Sequence, residues 1–161
     1  MATLTVWKFD TATGAQEALD KLAELSKQQL IQIQDAAVVS WPAGKKSPKT
    51  KNYGSMTGQG ALSGAFWGML FGLIFFVPFF GMAVGAAMGA LAGKFADYGI
   101  SDDFIKEVRA KVTEGTSALF LLSANAVEDR IAAAFEGVHM ELIASNLSAE
   151  QEAKLREEFE A

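Results

Sequence analysis

The run Gly60-Ala-Leu-Ser-Gly64-Ala-Phe-Trp-Gly68-Met-Leu-Phe-Gly72 is answered, across Pro78, by Gly81-Met-Ala-Val-Gly85-Ala-Ala-Met-Gly89-Ala-Leu-Ala-Gly93. Each half holds four glycines at a spacing of four. A glycine inside a helix costs about 1 kcal/mol relative to alanine, so two regular arrays require compensation. Four residues advance an α-helix by about 400°, which sets each glycine about 40° around from the last. Gly60, Gly64, Gly68 and Gly72 therefore line one slowly winding groove, and Gly81, Gly85, Gly89 and Gly93 line another. A groove without side chains lets a second backbone approach closely, and van der Waals contact then drives helix association in lipid. The expectation is a glycine-zipper helical hairpin over about residues 57–96, turning at Pro78.

Charge supports the same expectation. Between Lys51 and Lys94 there is no Asp, Glu, Lys, Arg or His across 42 residues. As a helix, residues 57–77 would reach about 30 Å, near the thickness of a hydrocarbon core, with the Phe, Leu and Trp side chains outside the groove facing lipid. Residues 80–96 would reach about 25 Å, which leaves a tilted, thinned or re-entrant placement open. A hairpin returns the chain to its starting side. Lys45, Lys46, Lys49 and Lys51 before it, with Lys94 after it, place that side in the cytoplasm by the positive-inside rule. The four lysines preceding it are also candidates for anionic lipid head groups, at about 1 kcal/mol each near the surface.

Outward from the hairpin the chain reads as an ordinary charged α/β domain. Residues 3–9 alternate in β-formers, and residues 12–29 carry Ala15, Ala18, Leu19, Leu22 and Leu25 at helical spacing. Residues 31–41 predict a strand with a bulge near Asp35, stopped by Pro42. Residues 43–55 predict a basic loop. Ser101-Asp102-Asp103 opens a helix with acids favoured by the helix dipole, and Ile105, Val108 and Val112 give it an apolar stripe. The continuous apolar run at 116–123 predicts a strand covered on both faces. Asn125 with Glu128, and Ser148 with Gln151, suggest capping boxes for helices at 126–136 and near the C-terminus, with an alternating strand at 138–146 between them. The expected fold class is α+β: a ferredoxin-like βαβ-βαβ sandwich with the hairpin inserted between its halves. The units are then 1–54 (first half and basic loop), 55–97 (hairpin) and 98–161 (second half).

The run from Tyr53 to Leu122 resembles a bacterial family catalogued as domain of unknown function 1269. The resemblance rests on the two glycine arrays, on Val77-Pro78-Phe79-Phe80-Gly81, on Asp97-Tyr98-Gly99-Ile100, on Phe104-Ile105-Lys106 and on Gly115-Thr116-Ser117-Ala118-Leu119-Phe120. It implies a membrane-associated protein, stress-linked in some relatives. It brings no reaction, cofactor or catalytic residue.

The residues themselves argue against catalysis. There is no cysteine, which removes disulfides, thiolate metal sites and thiol nucleophiles. His139 is the only histidine, and a metal site needs several converging ligands. No phosphate loop or dinucleotide fingerprint is present. The net charge of −5 disfavours nucleic acid, whose binding needs basic surface. The N-terminus lacks the basic and apolar regions of a signal peptide. The expected partners are other copies of the chain and membrane lipid, with no cofactor, no metal and no enzyme activity. The expected location is a bacterial inner membrane with both termini cytoplasmic, and the expected role is structural membrane organisation. Three alternatives are an oligomeric channel, disfavoured by the absence of ionisable residues in the hairpin; a ligand-sensing α/β module anchored by it; and a soluble assembly with the hairpins buried inside.

Overall fold

The computed structural model describes residues 3–46, 48–52, 70–76, 100, 102–124 and 128–160. The chain is α+β. Its strands are β1 (Thr3–Phe9), β2 (Gln32–Ser40), β3 (Lys49–Asn52), β4 (Ser117–Ala124) and β5 (Met140–Ser145). Its α-helices are α1 (Gly14–Lys27), α2 (Asp102–Lys111), α3 (Glu128–Ala134) and α4 (Ala149–Glu160), with a π-helical turn at Gly72–Phe76. The strands form one sheet in the order β3-β2-β4-β1-β5, with every neighbouring pair antiparallel. Residues from both sides of the glycine-rich region thus share one sheet.

β4 lies at the centre of that sheet, and its first seven residues are all buried. The alternation of side chains along a strand divides them between two cores. Ala118, Phe120 and Leu122 point to one face, with Leu4, Val6, Ala37 and Val39. Leu119 and Leu121 point to the other, with Trp7, Phe9, Ile33 and Val38. α1, α3 and α4 cover this second face through Ala15, Leu19, Leu22, Leu25, Ile131 and Leu155. α2 covers the first through Phe104, Ile105 and Val108. Coverage on both faces is why β4 reads as an unbroken apolar run.

Two local devices fix the ends of elements. Ser117, fully buried on β4, accepts from the Ala15 amide at 2.9 Å and donates to the Thr11 carbonyl at 2.7 Å. It thereby supplies the N-terminal partner that Thr13, the α1 N-cap residue, does not provide with its own side chain. Ser148 and Gln151 form the expected reciprocal box at the start of α4: the Gln151 amide donates to Ser148 Oγ at 3.2 Å and the Ser148 amide to Gln151 Oε1 at 3.3 Å. The capping box expected at Asn125 and Glu128 lies outside the described residues.

The bulge expected near Asp35 is present, as a register shift between Ile33 and Asp35 against β4. The buried Asp35 carboxylate accepts from the Ala36 amide at 2.9 Å. One element departs from the expected loop at 43–55. Residues Lys49–Asn52 form the edge strand β3, pairing Ser40 with Lys49 and Ala37 with Asn52. Lysine is depleted in strands, which hid this one. On an edge, however, lysine discourages pairing with a second chain.

Candidate functional site at the root of the glycine-rich region

Leu70 and Phe71, with the π-helical turn Gly72–Phe76, are the described part of the long uncharged run. They lie on the sheet face shared with α2. Leu70 and Ile74 are fully buried, and Phe71 and Phe75 nearly so. The Phe71 ring meets Phe120 of β4 edge-on, with centroids 5.0 Å apart and planes at 82°. Such a T-shaped pair is worth about 0.5–1.5 kcal/mol beyond its area burial. Phe71 and Phe75 stack in a tilted pair with centroids 6.4 Å apart. Leu70, Phe71, Ile74 and Phe75 recur at helical spacing, and that spacing turns all four toward the sheet.

The backbone of the turn is held as well. Arg109, on α2, donates from Nε to the Ile74 carbonyl at 2.9 Å. A π turn widens the ladder to i→i+5 bonding and leaves carbonyls to be satisfied from outside, and such turns concentrate at functional places. Ile100, just before α2, is also buried in this core. The domain therefore holds the chain at β3, at residues 70–76 and at Ile100.

This placement corrects one expectation. Leu70, Phe71, Ile74 and Phe75 do not face lipid; they complete the domain's own core. A run that is apolar on all sides has no polar face to tell which side is covered. Among the described residues no helix is long and apolar enough to cross a membrane.

Of the groove glycines, Gly72 alone is among the described residues. It is half-buried, and a Cβ added there meets nothing within 4 Å. Gly60, Gly64, Gly68, Gly81, Gly85, Gly89 and Gly93, the turn at Pro78, and Lys94 lie outside the described residues. Lys45, Lys46 and Lys49 are exposed, beside or on the edge strand, and Lys51 stands opposite Val38 in its register. They and residues 70–76 belong to the same domain, but the lysines follow the sheet edge while the apolar turn lies on its face. Arg109 and Ser117 were not singled out by sequence. Their partners are 35 and 102 residues away, so no local pattern reports them. His139 is exposed.

A family model described as "Protein of unknown function (DUF1269)" matches residues 61–160. No curated protein and no solved structure matches the chain.

Proposed function

The chain belongs to the DUF1269 family of proteins of unknown function, and from that premise we propose that it is a self-associating structural protein of the cytoplasmic face of a bacterial membrane. Its glycine-rich segments enter lipid from that face and pack against copies of themselves. The observation that carries this is the pair of four-glycine arrays within 42 uncharged residues. Grooves of that kind associate helices where no hydrophobic drive is left. The exposed lysines at 45, 46 and 49 suit an anionic surface.

A single spanning helix over residues 57–77 is not part of this proposal, because Leu70, Phe71, Ile74 and Phe75 are buried in the domain core. The ferredoxin-like assignment belongs to this proposal too. With β3 set aside, the order β2-β4-β1-β5, with α1 and α3 crossing on one face, supports it.

A second reading, a soluble particle with the apolar segments inside, draws on the burial of Leu70 and Ile74 in the domain core. Both readings share glycine-mediated self-association. Gly64→Leu with Gly85→Leu fills both grooves and is expected to shrink the assembly, measured by light scattering after size exclusion. An unchanged mass contradicts the self-association.

A further inference from the structure

The opposite sheet face holds a cavity of about 330 Å³ between the sheet and helices α1, α3 and α4. Its walls are apolar, formed by Trp7, Leu22, Leu121 and Phe135 among others. Three hydroxyl residues, Thr3, Thr5 and Ser123, line the same space. None of its described lining residues carries a charge. Ligand pockets occupy about 300–1,000 Å³ and combine such walls with a few placed polar groups.

The hydroxyls are neighbours by register. Thr3 stands directly opposite Ser123, and Thr5 opposite Leu121. Adjacent positions on one face of an antiparallel pair come within about 5–8 Å, so the three form one polar spot. Thr5 Oγ1 already accepts from Trp7 Nε1 at 2.9 Å. Ser123 is only 7% exposed, and no hydrogen bond within the described residues engages its hydroxyl. Its place on β4, in step with Leu119 and Leu121, aims it at the helix-covered face and into the cavity. A nearly buried hydroxyl at one end of an apolar chamber is placed to pair with a ligand oxygen.

We propose that this cavity binds a small neutral amphiphile: an alkyl or aromatic body with one hydroxyl or carbonyl oxygen. The body fills the space against Trp7, Leu121 and Phe135. The oxygen pairs with Ser123 and with the Thr5 hydroxyl hydrogen. A carboxylate is disfavoured because no cation among the described residues lines the space to offset its desolvation. The site lies across the sheet from residues 70–76 and does not depend on the function proposed above.

The probes are 1-octanol and octanoate, titrated into the full-length protein carrying Trp41→Phe and Trp67→Phe. Trp7 is then the only tryptophan and reports from the cavity wall. The expected result is a saturable change in Trp7 emission with 1-octanol, and binding at least tenfold weaker with octanoate. Ser123→Leu, which fills the space, should weaken 1-octanol at least tenfold. Ser123→Ala, which keeps the fold and deletes the hydroxyl, should weaken it by about fivefold. No saturable change up to the solubility of 1-octanol overturns the proposal. So do equal binding of octanoate and an affinity unchanged in Ser123→Ala.

Discussion

Gly14 begins α1 directly under the Phe9 side chain. A Cβ built on it falls 2.6 Å from Phe9 Cβ, an atom fixed to the backbone of β1. Helix propensity favours alanine over glycine by about 1 kcal/mol, but the overlap works against it and costs about 1–3 kcal/mol. Gly14→Ala is therefore expected to lower stability, seen as a lower denaturant midpoint at unchanged slope. Gln29 presents the reverse case. Its φ of 62° is left-handed, where a Cβ is strained. It ends α1 in a Schellman arrangement, with the Leu30 amide on the Leu25 carbonyl and the Gln29 amide on the Ser26 carbonyl. Gln29→Gly relieves the strain and is expected to raise stability by about 0.5–1 kcal/mol in the same titration. Neither position announces itself in sequence. Gly14 reads as an ordinary flank of a helix, and glutamine carries no left-handed signature.

Elements with one clear face were legible. The Ala15 to Leu25 stripe defined α1, and the uniform run at 116–123 announced a strand covered twice, found as Ser117–Ala124. β3 was not legible, because its charges suit an edge for reasons that only the assembled sheet supplies. The dock at 70–76 was not legible either. Period alone marks a helix in a wholly apolar run but not what covers it. The dock has a measurable consequence. Ile74 is fully buried against the sheet, so Ile74→Ala is expected to cost about 2–5 kcal/mol in global stability. A side chain that only touched lipid would leave the unfolding of the α/β domain almost unchanged. The chemical-unfolding midpoint followed by far-ultraviolet circular dichroism decides between these.

For the whole molecule, two chemistries share one sheet. One face is closed by α2 and by the apolar turn from the glycine-rich region. The other is closed by three helices around a cavity with a hydroxyl corner. The glycine spacing was plain in sequence, but the grooves proposed from it fall, Gly72 apart, outside the described residues. The cavity was not plain in sequence, because its walls come from distant segments that only the fold brings together. The domain holds the chain at β3, at residues 70–76 and at Ile100; in the proposed assembly these domains form the shell. The most direct test is flotation of the native, untagged protein on a density gradient after an alkaline carbonate wash. The expected result is that it rises with lipid, held by glycine-packed segments that enter from one face. Sedimentation as a large lipid-free particle would contradict the membrane seat and leave the glycine segments packed inside a soluble assembly.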